Sequence, residues 1–599
     1  MRMIKNSIYL AAALLLAGYL TVSCTKDPKD TPVDPKPEGT GYLSLNIPLE
    51  HAVRSRAGTT EYGHTAEYNI NSIRIILYNA AGIAQHVESY AVEYRSDSKK
   101  LFFTNLDGTY IQTNAFPYID GDANVVEVPD NRSELVIERL PFEVPVMDYQ
   151  VVVLFNYLNF GKENGHAYVD GSQPANMWLY ESTAEVGHNI NILQTPMDMY
   201  QDWVLSNLPG NSHPYEYILN GINKITGLNA EKLGYMRWIN ESLNMFMSNA
   251  DGVVRISATD LAASTDLTPV TATINVDRAL AKVILKKGDG FGLNSVEGYT
   301  TPSGNGKVKD ITWVPDVLNY RIYPMRQAAQ TAPSNNYAEE TPTTDRALRY
   351  AKDPNWDGYS NLRTTGSSNL VQNFAYMPQD PIEMFEIWSA DPVDVFEKSW
   401  WDDNTNTIND YLWYYIPENT MQADEQWEDV TTSVVFRCQY IPTGWSESEV
   451  TANGYYYFQG YLLKHSQISQ YLGDESKIPA AIADLKEVLA AWKSAGHFGG
   501  SNSAPTKAIS EGGLNYYKDG INYYRIPIRH FNDTQSPGQM GYGRYGVLRN
   551  NVYSVVVEDI LGPGSSLLPP PEGPDDKEQN LKVSISTKEW VYYNLQFDF

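Results

Sequence analysis

"YLSLNIPLEHAVRSRAG", running from Tyr42 to Gly58, begins as a strand and ends as a short polar loop. Leu43, Leu45, Ile47 and Leu49 alternate with Tyr42, Ser44, Asn46 and Pro48, the period of two that turns one apolar face toward a core. Pro48 has no amide to give a ladder, so the pattern predicts an edge strand or a strand end. Arg54 and Arg56 follow in the loop, beside the small residues Ser55, Ala57 and Gly58. The pairing of a good strand with two adjacent basic residues is the feature to be explained.

Upstream, Arg2 and Lys5 precede the apolar run Ile8 to Val22, which is a secretory signal pattern and too short for a confident membrane span. "LTVSC" resembles a bacterial lipoprotein signal, in which Cys24 becomes the palmitate-bearing first residue. Thr21 stands where leucine is usual, and the other reading is an ordinary cleaved signal. Thr25 to Thr40, rich in Pro, Asp and Lys, reads as a semi-extended linker.

Downstream, strand patterns recur in "NINSIRIILYNAAG" (Asn69 to Gly82), "ELVIERLPFEVPVMDYQVVVLFN" (Glu134 to Asn156) and "ATINVDRALAKVILKK" (Ala272 to Lys287). They return late in "YYYFQGYLLK", "GINYYRIPIRHF" and "NNVYSVVVEDILG". "YYKDGINYYRI" (Tyr516 to Ile526) reads as a hairpin turning at Asp519-Gly520. Short β runs divided by Gly, Pro, Asn and Asp point to β-sandwiches. Helical patterns are few. In "PAAIADLKEVLAAWKSAG", Ile482, Leu485, Val488, Leu489 and Trp492 share one face and Gly496 caps the end. "NAEKLGYMRWINESL" (Asn229 to Leu243) reads as a second, shorter helix.

A chain of 599 residues exceeds one core, and 42% apolar residues with 43 Tyr and 13 Trp can fill more than one. A net charge of −27 argues against nucleic acid, since phosphate binding needs a basic face. The two cysteines, Cys24 and Cys438, offer no disulfide framework, and Cys438 reads as a buried, unreactive thiol. The nine His form neither HExxH nor a spaced metal set, and there is no G-x-S-x-G elbow or P-loop. Asp120 and Asp122 are too weak a pair for calcium. The Tyr-rich runs "DYLWYYIP" and "NGYYYFQGY" read as core filling before sugar stacking. No enzyme, metal or cofactor is expected.

The chain closes with a Pro/Gly/Asp-rich stretch from Gly562 to Asn580 and then two alternating blocks. Leu581, Val583 and Ile585 form the first, and Leu595, Phe597 and Phe599 the second. An apolar strand left in water is an aggregation hazard, so the tail must fold back on its own domain or dock into another molecule by strand addition.

"GRYGVLRNNVYSVVVEDILGPGS" (Gly543 to Ser565) resembles the C-terminal signature of Bacteroidetes fimbrillins, the Mfa-like major fimbrial subunits of type V pili. "YYIPENTM" (Tyr414 to Met421), "TTSVVFRCQYIP", "INVDRALAKVIL" (Ile274 to Leu285) and "NMFMSNADG" (Asn244 to Gly252) resemble further parts of that family in order. The regions near 160–240 and 325–410 match nothing in it and read as variable loops, which on a third reading, an adhesin, form the binding surface.

The resemblance implies a mainly β fold of two tandem transthyretin-like Greek-key β-sandwich domains with a few short helices. The implied divisions are signal peptide 1–24, linker 25–40, propeptide strand 41–56, N-terminal sandwich 57–270, C-terminal sandwich 271–565 and donor-strand tail 566–599. It also implies a mechanism. The subunit is exported to the outer membrane as a lipoprotein, and an extracellular arginine-specific protease cuts after Arg54 or Arg56. The plug strand Leu43, Leu45, Ile47 and Leu49 then leaves, and a neighbour's C-terminal strand fills the groove, through Ile585 and its neighbours or through Leu595 to Phe599. Implied partners are further copies of the chain, fimbrial anchor and tip proteins, the protease and, before maturation, the membrane. The alternative is a SusD-like surface glycan-binding lipoprotein, which would be built mostly of paired helices.

Overall fold

In the computed structural model the described residues are 39–48, 60–62, 72–95, 100–107, 136–155, 246–250, 252–294, 298–319, 321–327, 413–421, 427–530, 546–568 and 580–591, with short pieces between them. In chain order the elements that matter here are β1 (Thr40–Pro48), β2 (Thr60–Tyr62), β3 (Ser72–Asn79), β4 (Val136–Pro145) and β5 (Tyr149–Phe155). They continue with α1 (Ala258–Ala263), β6 (Val270–Thr273), β7 (Leu280–Lys287), β8 (Gly306–Asp316) and β9 (Ser433–Pro442). The last are α2 (Leu485–Ser494), β10 (Ile521–Pro527), β11 (Asn551–Ile560) and β12 (Leu581–Val591).

The chain is mainly β, so the helix pairs that a SusD-like protein would need are not its architecture. A sheet of order β6-β1-β4 packs on a nine-stranded sheet with β5 and β3 at its centre. Between them Leu43, Leu45, Ile47, Ile73, Ile75, Leu77, Val151, Val153 and Phe155 close one core. The alternate residues of the same strands, Ile76, Tyr78, Val152 and Leu154, join a second and larger core with the C-terminal sheets. β3 and β5 are therefore apolar on both faces, which is why "SIRIILY" and "VVVLF" read as nearly continuous hydrophobic runs.

The C-terminal part holds two five-stranded sheets. One has β2, β12, β11, β7 and Trp413–Pro417 in that order, and the other carries β8, β9 and β10 at one side. The chain crosses to them between Arg278 and Leu280. Val276–Arg278 still pairs with Met247–Asn249 in the nine-stranded sheet, whereas β7 pairs with β11. Val270–Thr273 belongs with the N-terminal sheets because Ala272 and Ile274 sit in their core.

Residues 443–520 leave β9 and return at β10 as an insertion with its own core. There Tyr456, Phe458, Leu485, Leu489, Trp492 and Tyr516 pack together. α2 buries Leu485, Leu489 and Trp492 with Ile482 beside it, and Gly496 at φ +73° donates its amide back to the Lys493 carbonyl, as the pattern predicts. The Asp519-Gly520 turn forms, with both residues at positive φ, but not the hairpin. Leu514–Tyr517 pairs within the insertion and β10 pairs with β9, so the turn passes the chain between two sheets. Gly520 packs too close to the Val450 side chain to carry a Cβ, and the Gln439 amide holds the Asp519 carbonyl at 2.7 Å, which commits the turn to that crossing. Where the second helix is expected, over Asn229 to Leu243, Arg237–Trp238 instead pairs antiparallel with Leu228–Asn229. Cys438 is a buried thiol in no disulfide, and Tyr415, Tyr455 and Tyr456 fill cores.

Candidate functional site

β1 is the middle strand of its sheet, parallel to β6 and antiparallel to β4. Leu43 faces Val270 and Phe142, Leu45 faces Ala272 and Arg139, and Ile47 faces Ile137. A register shift between Leu43 and Leu45 marks a bulge, which increases local twist. Pro48 is the last residue of the strand, where its missing amide costs the ladder nothing. Of the two positions its proline allowed, β1 takes the strand end and not the sheet edge.

Leu43, Leu45 and Ile47 are fully buried. Burying three such side chains contributes about 5–9 kcal/mol gross. The ends are tied as well. The Val146 amide donates to the Gly39 carbonyl, Thr40 Oγ1 donates to Glu143 at 2.7 Å, and the Tyr42 amide donates to Ser264 Oγ at 2.7 Å. The Ile274 amide donates to the Asn46 carbonyl at 2.9 Å. Gly41 lies so close under the Leu261 carbonyl of α1 that no Cβ fits there. α1 is itself set by Ser257, whose hydroxyl caps the Asp260 amide. Tyr149, in the floor of the slot that β1 fills, donates to the Pro145 carbonyl, and burial pushes its hydroxyl up to about 12, so it stays a neutral donor.

In this sheet β4 and β6 meet only through β1. With β1 gone, each would present an unpaired edge on either side of an apolar trough floored by Ile73, Ile75, Val151 and Val153. β6, the second wall, starts at the residue where the resemblance implies the division between the two sandwiches. The alternation of Val270, Ala272 and Ile274 against Thr271 and Thr273 is the signal that marks it.

β12 is the C-terminal counterpart. It lies antiparallel to β11, with Val557 facing Val583 and Val555 facing Ile585, and its last three residues lie parallel to β2. Leu581 is buried, while Val583 and Ile585 are partly buried against the large core. The first block of the tail thus has a place in its own sheet. Cys24, Leu49, Arg54, Arg56, Leu595, Phe597 and Phe599, and the Asp120 and Asp122 turn, lie outside the described residues.

The "RNN" run that leads into β11 is a buried joint. Arg549 Nε donates to Glu418 at 3.0 Å and its Nη2 to the Tyr323 carbonyl at 2.8 Å. Asn550, at φ +58°, offers Oδ1 to Arg278 Nη1 at 3.1 Å, across the step from the N-terminal to the C-terminal sheets. Asn551 donates to the Arg549 carbonyl at 2.8 Å, and the Tyr553 hydroxyl accepts the Leu548 amide at 2.7 Å. His530 Nδ1 lies 2.9 Å from the same hydroxyl, and burial with Arg326 nearby lowers its pKa to about 3. Among the described residues no cluster of His, Cys, Asp and Glu could hold a metal ion.

A family profile described as "Major fimbrial subunit protein type IV, Fimbrillin, C-terminal" matches residues 515–595. No curated protein matches the chain. A solved fimbrilin (fimA) from Porphyromonas gingivalis W83 aligns at 12% identity and TM-score 0.34, over 92% of this chain and 98% of that one. The tip fimbrial protein Mfa3 from Porphyromonas gingivalis, with a C-terminal truncation, aligns at 10% identity and TM-score 0.31, over 92% of this chain and all of that one. These superpositions are long but loose. The profile covers β10, β11 and β12, the strands around the buried joint, so that C-terminal region is similar to the C-terminal part of major fimbrial subunit proteins.

Proposed function

We propose that this chain is a structural subunit of a cell-surface fimbria supporting adhesion, and that it polymerises by exchanging β1 for the C-terminal strand of a neighbouring copy. The observation that carries the reading is the seat of β1. It is a separable strand near the chain start, hydrogen-bonded on both edges and buried through Leu43, Leu45 and Ile47. Its link to the rest of the chain contains Arg54 and Arg56.

While that link is intact, β1 has a very high effective concentration in its slot, and no tail from another molecule displaces it. A cut after Arg54 or Arg56 removes this advantage. The replacement strand must offer apolar residues at i, i+2 and i+4 to match Leu43, Leu45 and Ile47. Leu595, Phe597 and Phe599 have that spacing. The block Leu581, Val583 and Ile585 has it too but is engaged with β11, so the second block is the readier donor. The contact is head-to-tail and propagates as a filament. Lipidation at Cys24 would hold the precursor at the outer membrane until the cut, and anchor and tip proteins would end the filament.

N-terminal sequencing of the surface-exposed form tests this. A start at Ser55 or Ala57 is expected. A start at Cys24 in assembled filaments contradicts it.

A further inference from the structure

β2 lies against the root of the C-terminal tail. Thr60 faces Glu589, Glu61 faces Trp590 and Tyr62 faces Val591, in parallel register. Val591 is the last residue before the block Tyr592 to Phe599. Along its other edge β12 is held by β11 from the Glu589–Asn551 pair to the Leu581–Ile560 pair. β2 therefore closes the second edge of β12 only at the end from which the tail departs.

A three-position ladder is weak alone, because fixing the backbone of three residues costs more than the few hydrogen bonds return. β2 is held by what lies on either side of it in the chain. Eleven residues, 49–59, join it to β1, and nine, 63–71, join it to β3. β1 and β3 are both seated in the N-terminal sheets and share one core. Tethering at both ends gives β2 a high local concentration beside β12. The geometry points to a second consequence of the cut after Arg54 or Arg56: β2 is a clasp on the tail root, and the bond whose cleavage unseats β1 also lets the clasp go. With the bond after Arg56 broken, Thr60 lies three residues from a free end, in a segment that now frays as chain termini do. One cleavage then primes acceptor and donor in the same molecule, and an uncut subunit is closed at both. This rests on the maturation reading above and adds its control over the donor end.

Amide hydrogen exchange with mass spectrometry on the full chain tests the clasp. The variant Leu595→Asp with Phe597→Asp keeps the cut protein monomeric on the exchange reading, and the chain with Arg54→Ala and Arg56→Ala is the uncut control. After treatment with an arginine-specific protease, exchange at 60–62 and 589–591 should rise about tenfold or more, while amides at 552–557 change less than about twofold. The control should keep its protection. A verified cut that leaves 60–62 and 589–591 as protected as before overturns the clasp, as does a lack of protection there before cutting. Polymer formation by the wild-type chain is scored separately. If the cut wild-type chain polymerises while protection persists, the clasp fails and strand exchange stands. If protection is lost and no polymer forms, the exchange reading fails and the clasp stands. A loop that resists the protease sinks both.

Discussion

β1 and β12 each lie between two neighbours, yet they are held in opposite ways. β1 is gripped along both edges, and its three described apolar side chains are fully buried, but it needs only one chain connection to be cut to become a separate peptide. β12 is gripped along one edge, touched on the other only over its last three residues, and leaves Val583 and Ile585 partly buried. The first strand has strong packing and a vulnerable link. The last has weaker packing and a continuous link to a joint built on Arg549. On the exchange reading, a strand that is to be replaced must fill its slot well enough to keep the uncut chain folded. On that reading the strand from which the donor block departs needs only to keep its own place on β11, and shallower burial suffices for it.

The largest effect expected is all-or-none. Arg54→Ala combined with Arg56→Ala should abolish the polymer ladder on non-denaturing gels of protease-treated protein. An unchanged ladder breaks the contrast at the first strand. Next, Arg549→Ala should destabilise the uncut protein by about 3–5 kcal/mol in urea, since it strands Glu418 as a buried unpaired charge. A loss below about 1 kcal/mol, within the range of an exposed pair, would mean that β11 is not fixed there. The contrast in burial is measured directly by Leu45→Ala, expected to cost about 2–5 kcal/mol, against Ile585→Ala, expected nearer 1 kcal/mol for a half-buried site. Equal costs would erase the distinction.

The smallest effect is on pH. His530 is neutral in the fold, with its pKa lowered to about 3, so the unfolded chain takes up the proton first as pH falls below the ordinary value near 6.5. This group's contribution is present above that pH and is lost as pH drops toward 3. Between pH 6.5 and 5.5 the wild type should lose about 1 kcal/mol more than His530→Gln. Parallel pH profiles would show that the joint does not hold the imidazole neutral.

How much of this was legible in the sequence follows from what alternation can report. Leu43, Leu45 and Ile47 announce a strand with one buried face, and the helix of Leu485, Leu489 and Trp492 is equally plain, because each repeats at the period of its own backbone. Alternation is blind to how many edges of a strand are paired, so the central place of β1 and the role of β6 as a wall had to come from the fold. Asp519-Gly520 specifies a turn of the right local shape, but Tyr517 and Ile521 go to different sheets because of long-range packing by Val450 and Gln439. Arg549, Asn550 and Asn551 stood out only through the family resemblance. By composition they are surface residues, and their burial depends on Glu418 and Arg278, distant in the chain.

The exchange of strands is tested most directly by a high-resolution cryo-electron microscopy map of the assembled filament, read in the slot between β4 and β6. The account predicts density for aromatic side chains there, fitted by Leu595, Phe597 and Phe599 of an adjacent copy, with residues 40–48 gone. Density for Leu43, Leu45 and Ile47 of the same chain in that slot would contradict it.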